Sequence, residues 1–171
     1  MEQVLVAYAS KYGATAEIAE RIGQVLQEAG LPTEVVPAGR VRDLTPYRAV
    51  VLGSAVYIFR WRREAARLLK ALAAGPFAGP VWLFSSGPTG EGDTDAFAEG
   101  AKLPKGLQPA AGAISPRDIA VFGGALDLTK LSSIEQWVMK RMNASANDIR
   151  DWEAIEAWAG GIAQALLAPD P

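Results

Sequence analysis

Hydroxyls, carboxylates, amines and backbone amides are the groups with which this chain can do chemistry, because its 171 residues contain no His and no Cys. Without imidazole there is no ordinary base near neutral pH, no His-liganded metal and no Ser-His-Asp triad. Without thiols, disulfides, zinc–thiolate sites, iron–sulfur ligation and thiolate nucleophiles are excluded. The remaining candidates gather in three short segments. Ser10, Lys11, Tyr12, Gly13, Ala14 and Thr15 form the first. Small hydroxyls and a glycine ahead of a helix make an anion cradle, since first-turn N–H groups lack carbonyl partners. The alternative is an ordinary strand-to-helix turn with Ser10 or Thr15 as N-cap. The spacing is neither that of a Walker loop nor that of a dinucleotide fingerprint. Ser54, Ala55, Val56, Tyr57 and Ile58 form the second segment, continued by Phe59, Arg60 and Trp61. Its aromatics could stack on a flat heterocycle or simply pack inward. The third holds Ser85, Ser86, Gly87, Pro88, Thr89 and Gly90. Its glycines let backbone amides come close to a ligand, or serve a plain surface connection.

The elements that must carry these segments alternate between short β-rich runs and helical patterns. Strands are predicted over residues 3–8, 33–37, 48–53, 80–85 and 118–123. Their near-continuous apolar runs suit strands buried on both faces. Helices are predicted over 14–29, 62–74 and 151–167, with a weak one over 94–102 and another over 132–142. The prolines and glycines between 102 and 117 predict irregular chain. This alternation specifies an α/β fold with a parallel sheet and right-handed crossovers. Length predicts a single domain over residues 1–171. Ligands of such sheets sit at the carboxyl ends of the strands, at a topological switch point, which is where the three segments fall.

Charge and hydropathy narrow the partners. Lys and Arg number 17 against 19 Asp and Glu, a formal charge of -2, so no basic excess exists to meet a phosphate backbone and nucleic-acid binding is not expected. Half the residues are hydrophobic, enough for a sizeable core. The uncharged stretch 71–90 is broken by Pro76, Pro80 and Pro88, so no transmembrane segment is expected. Met1 leads directly into Glu2 and a short apolar run, unlike a signal peptide; a cytoplasmic protein is expected. Arg60, Arg62, Arg63, Arg67 and Lys70 against Glu64 make a basic helix face, suited to an acidic partner, an anionic substrate or plain solvation. The pattern at 134–142, with Trp137, Val138, Met139, Lys140 and Arg141, suits a membrane surface, a partner or the cover of a sheet edge. Trp137, Trp152 and Trp158 read as core residues.

The run Ser10-Lys11-Tyr12-Gly13-Ala14-Thr15 resembles the phosphate loop of the flavodoxins, roughly Ser/Thr-x-Thr/Tyr/Asn-Gly-x-Thr. The order of elements resembles the flavodoxin-like three-layer sandwich over the whole chain, with a five-stranded parallel sheet of order 2-1-3-4-5. Within that fold the C-terminal third resembles the menaquinone-dependent protoporphyrinogen oxidase group. Gly124, Ala125 and Leu126, the run Met139-Lys140-Arg141-Met142, and Asp151-Trp152-Glu153 carry that likeness. The resemblance implies FMN held without a covalent bond. Ser10, Tyr12, Gly13, Ala14 and Thr15 would bind its phosphate largely through amides, with Lys11 at the variable position. Ser54, Ala55, Val56, Tyr57 and Ile58 would border the ring, with Tyr57 stacking. Ser86, Gly87, Pro88, Thr89 and Gly90 would line the opposite side. No catalytic side chain is implied, because the flavin does the chemistry.

After strand four the oxidase group carries a longer, basic segment. This chain instead has glycines with Glu91, Asp93, Asp95 and Glu99. Those carboxylates would disfavour an anionic reduced flavin and lower its potential. Electron transfer through FMN to a redox partner protein is therefore the leading expectation. The alternatives are an oxidase-like flavoenzyme using a quinone acceptor, and a cofactor-free interaction module. A phosphoryl-receiver reading fails, because Ala9-Ser10 and Gly123-Gly124 stand where its acidic residues and Lys would be.

Overall fold

The computed structural model describes residues 2–11, 13–57, 60–87, 102–123 and 150–169. The chain runs β1 (Gln3–Ala9), α1 (Ala14–Glu28), β2 (Thr33–Pro37), a 3-10 turn (Ala38–Arg40), β3 (Tyr47–Tyr57), β4 (Arg60–Trp61), α2 (Arg63–Ala74) and β5 (Val81–Ser86). A second 3-10 turn (Lys105–Leu107), α3 (Gln108–Ile114), β6 (Asp118–Phe122) and α4 (Trp152–Leu167) follow. The parallel strands lie in the order β2-β1-β3-β5-β6, with β4 paired antiparallel to β3 off that path. This is the flavodoxin-like α/β arrangement expected from the sequence, with helices on both faces.

Alternation along each strand divides the interior. Val4 and Val6, Ala49 and Val51, and Trp82 and Phe84 face α1 and α4. Leu5 and Ala7, Val50 and Leu52, and Val81 and Leu83 face α2 and α3. Period-two patterning with both faces covered leaves the central strands no polar side. The helices answer at their own period. Ile18, Ile22 and Leu26 form the inner stripe of α1, and Ala65, Leu68, Leu69 and Leu72 that of α2. Full burial of each such Leu or Ile contributes ~1.5–3 kcal/mol before entropy is counted. Phe84, Phe122 and Trp158 close the first core edge to edge, with ring centroids 5.5–6.0 Å apart. The Trp158 indole N–H donates to Asp118 at 2.8 Å, tying α4 to the start of β6. Trp152 packs on the same core.

Two readings of the sequence need correction. The third strand does not stop at Gly53. Residues 54–57 continue β3, because Val56 pairs with Trp61 and Tyr57 with Arg60 in a small hairpin. The segment 102–117 is not irregular: it holds a 3-10 turn and α3. Pro109 lies in the first turn of α3, where an amide hydrogen would have no partner anyway, so this proline does not break the helix. The helices expected over 94–102 and 132–142, with Trp137, fall on residues almost wholly outside those described. No described helix is long and apolar enough to cross a membrane.

Candidate functional site

Register places the ends of three strands side by side. Ala9 pairs with Ser54, Ser54 with Ser85, and Ala55 with Ser86. The first segment leaves β1, the second lies on β3 and the third leaves β5, so one sheet edge carries all three. Of the expected site residues, Ser10, Lys11, Gly13, Ala14, Thr15, Ser54, Ala55, Val56, Ser86 and Gly87 are among those described, as is the backbone of Tyr57. Tyr12, Ile58, Pro88, Thr89 and Gly90 lie outside the described residues, as do Glu91, Asp93, Asp95 and Glu99.

Gly13 organises the first segment. It is the N-cap of α1, with φ 94° and ψ -14°, and no side chain caps the helix. Neither Ser10 nor Thr15 is the N-cap, contrary to the simple turn reading. The Ser10 hydroxyl instead accepts the Gly13 N–H at 3.0 Å, folding the loop back on itself. The helix ladder begins with Glu17 N–H donating to the Gly13 carbonyl, leaving the amides of Ala14, Thr15 and Ala16 without helical acceptors. A Cβ placed on Gly13 would meet nothing within 4 Å. The helix dipole adds positive potential at these amides. Thr15 is 1% exposed, and its hydroxyl makes no hydrogen bond among the described residues. Lys11 is exposed beside it.

The second and third segments are built differently. Ser54 is fully buried, and its hydroxyl accepts the Arg62 N–H at 2.9 Å while donating to the Ala55 carbonyl. That hydroxyl secures the entry to α2 and is not presented to solvent. Ser85 does the same for the next connection. It accepts the Trp61 indole N–H at 2.9 Å and donates to the Lys102 carbonyl at 3.1 Å. Trp61, 6% exposed, is thus a core residue of the hairpin. Gly87 has φ 110°, and its N–H donates to the Phe122 carbonyl at 3.0 Å. A Cβ there would lie 3.5 Å from the Val56 carbonyl oxygen, so the β3 and β5 segments touch.

Sequence reasoning missed this inner support. The Trp61–Ser85–Lys102 chain of bonds and the contact of Gly53 with the Phe84 ring stand beneath the edge. Continued β propensity through Val56, Tyr57 and Trp61 was the available signal for the hairpin. A cavity of about 580 Å³ also opens at the opposite, amino edge, between Glu2, Arg48, Trp82, Arg117 and Pro169. It lies away from the three segments.

A family model described as a flavodoxin domain matches residues 5–152. No curated protein sequence matches the chain. Among solved structures, an archaeal flavodoxin superposes with a TM-score of 0.64 at 14% identity, covering 97% of this chain and 99% of that one. A cysteine-to-serine mutant of the flavodoxin from Pseudomonas aeruginosa gives 0.62 at 14%, covering 97% and 99%. Oxidised flavodoxin 2 from Bacillus cereus gives 0.62 at 20%, covering 96% and 98%. At such identities the superpositions speak for the fold, whereas the family model spans most of the sequence and includes residues 10–15. The chain belongs to the flavodoxin domain family.

Proposed function

We propose that this protein, over residues 1–171 as one domain, transfers electrons through non-covalently bound FMN in the cytoplasm. The observation that carries the reading is the start of α1. There, amides without helical acceptors, a buried Thr15 and a left-handed Gly13 whose Cβ position is open follow one another in the first turn. That donor set is neutral and multiple, as an oxyanion with several lone pairs requires. Ser10, Gly13, Ala14 and Thr15 would hold the phosphate, with Tyr12 completing the loop and Lys11 adding a point charge. Ala55, Val56 and Gly87 would border the ring through main chain, with Tyr57, Ile58, Ser86, Pro88, Thr89 and Gly90 on its two sides. Ser54 and Ser85 act beneath it, by fixing the segments that touch it. Bound there, FMN supplies reversible one- and two-electron redox chemistry that the side chains of this protein cannot.

The oxidase-like alternative rests on Gly124–Leu126, Met139–Met142 and Asp151–Glu153. Asp151 is the N-cap of α4, its carboxylate accepting the Ala154 N–H at 3.0 Å. Without imidazole or thiol, proton handling in that reaction would fall to water, Tyr57 or carboxylates, whereas one-electron exchange needs none of them. The deciding measurement is the visible spectrum of the purified protein titrated with FMN. Flavin absorbance that stays with the protein through gel filtration supports the reading. Its absence after incubation overturns it in favour of a cofactor-free module. Porphyrin fluorescence appearing from protoporphyrinogen with a quinone, and vanishing in a variant unable to hold FMN, would promote the oxidase-like alternative.

A further inference from the structure

Among the described residues, charge is distributed unevenly over the two faces of the sheet. Between residues 38 and 117 the described carboxylates are Asp43 and Glu64, and both are engaged. Asp43 accepts the Thr45 N–H and hydroxyl, bonds that hold its carboxyl below the ordinary value. Glu64 lies 3.8 Å from Arg62. Around them stand Arg40, Arg42, Arg60, Arg63, Arg67 and Lys70, all exposed. On the opposite face, the arginines at α1 and α4 are matched by acids. Arg21 meets Glu28 and Glu156, and Arg150 meets Glu17. Among the described residues, Arg40, Arg60, Arg63, Arg67 and Lys70 form no salt bridge.

Topology makes these cations one surface. The turn Ala38–Arg40 leaves the carboxyl end of β2 and abuts the first turn of α2, where a Cβ on Gly39 would lie 3.3 Å from the Glu64 side chain. Arg42 donates back to the Gly39 carbonyl at 2.7 Å, holding its guanidinium over the same turn. Arg60 sits in the hairpin at the carboxyl end of β3. Arg63, Arg67 and Lys70 follow at helical spacing on the outer stripe of α2, opposite Ala65, Leu68, Leu69 and Leu72. The patch therefore begins at the sheet edge where electrons would enter or leave and runs down one helix. Among the described residues it displays no large apolar side chain. Leu167, at the far end of α4, is the exposed large hydrophobic among the described residues.

We propose that the face formed by Arg40, Arg42, Arg60 and the outer stripe of α2 is the docking surface for an acidic redox protein. The proposal rests on the electron-transfer reading and names the partner's chemistry. Complementary charge at a rim acts mainly on encounter and orientation, so the signature is a strong dependence on salt.

The test uses the full-length protein, with and without FMN, and an acidic plant-type ferredoxin as probe. Binding is followed by titration calorimetry at low and high salt. A double variant, Arg63→Glu with Arg67→Glu, lies on the outer stripe away from the proposed cofactor segments. The expected results are association that weakens steeply with salt, a loss of about tenfold or more in the double variant, and unchanged FMN uptake. Basic cytochrome c should bind more weakly than ferredoxin. Ferredoxin binding that is absent, or insensitive to the reversals, overturns the proposal. So does tighter binding of cytochrome c, or capture by phosphatidylglycerol vesicles without ferredoxin binding. Failure to take up FMN is read separately in the flavin absorbance. It would overturn the electron-transfer reading and with it the partner's redox role, while the isotherm alone decides whether the surface binds an acidic protein.

Discussion

Gly13 and Gly53 sit near the carboxyl ends of neighbouring strands, yet they do opposite things. A Cβ on Gly13 would meet nothing within 4 Å, and the residue is needed for its backbone, with φ 94°. A Cβ on Gly53 would overlap the Phe84 ring, and the residue is needed for the room it gives that ring. One glycine leaves space above the sheet edge, and the other lets the core fill the space below it. A site of this kind thus has a permissive loop over a tightly packed floor. Substitutions at the two positions should separate ligand affinity from stability.

The largest effect is expected at the floor. Gly53→Val drives a branched side chain into a fully buried aromatic, between β1 and β5, where backbone pairing on both sides prevents retreat. Overpacking of this kind costs about 3 kcal/mol, enough to lower the urea midpoint sharply or abolish folding. Gly53→Ala is the milder probe and should unfold at an intermediate midpoint. If both variants unfold like the parent, Phe84 has another place to go and the contrast with Gly13 collapses.

Next comes the loop. Gly13→Val must adopt a left-handed conformation that costs a β-branched residue about 1–2 kcal/mol, or else shift the helix entry and the amides with it. Among the described residues no atom beyond the chain neighbours lies within 4 Å of that Cβ, so the expected cost is one of backbone conformation. FMN affinity is expected to fall about tenfold or more, with a much smaller change in urea midpoint than at Gly53. Lys11→Ala removes a charge from the exposed rim and should weaken FMN less. Fluorescence titration of both variants checks the order, and a larger loss at Lys11 would mean that charge, not amide geometry, holds the phosphate.

The same contrast explains what could be read from the sequence. The layers follow from local patterns: Val4 to Ala7 and Val50 to Leu52 alternate between two cores without a polar side, as buried parallel strands require. For the loop, spacing alone left an ordinary turn as open as an anion cradle, and only the resemblance of Ser10, Gly13 and Thr15 to the flavodoxin pattern favoured the cradle. The floor was not legible. Nothing in the string says that Trp61 reaches Ser85 24 positions on, or that the Ser54 hydroxyl turns to the Arg62 amide rather than to a ligand. Pro109 misled for a related reason. A proline is a breaker inside a helix and harmless in its first turn, and position relative to the turn is a fact of structure.

A third substitution tests the floor without touching the rings. Ser85→Ala removes the acceptor of the Trp61 indole N–H and the donor to the Lys102 carbonyl. Leaving a buried indole unpartnered costs about 1–3 kcal/mol. A lowered urea midpoint with FMN affinity within about threefold of the parent is expected, because the hydroxyl lies under the site rather than in it. A selective loss of FMN affinity would instead make Ser85 a ligand-facing residue.

The smallest effect lies at the far end of β3 and serves as the control for the whole contrast. Tyr47 opens that strand, and its hydroxyl donates to the Glu34 carboxylate on β2. Burial of the phenol raises its pKa to about 12 from 10.0, helped by that hydrogen bond and by the negative charges of Glu34 and Asp43. The folded state therefore holds the phenolic proton more tightly than the unfolded state does. By linkage, the stabilisation is complete below the unfolded value of 10.0 and is lost as pH rises towards the folded value of about 12. Tyr47→Phe should lower stability slightly near neutral pH and flatten the decline across that alkaline window, measured as urea midpoints at successive pH values. FMN affinity at neutral pH should be unchanged, since Tyr47 stands at the amino end of the strand whose carboxyl end borders the site. A change in affinity as large as that of Gly13→Val would show that the two ends of β3 are coupled, and that loop and floor are not separable parts.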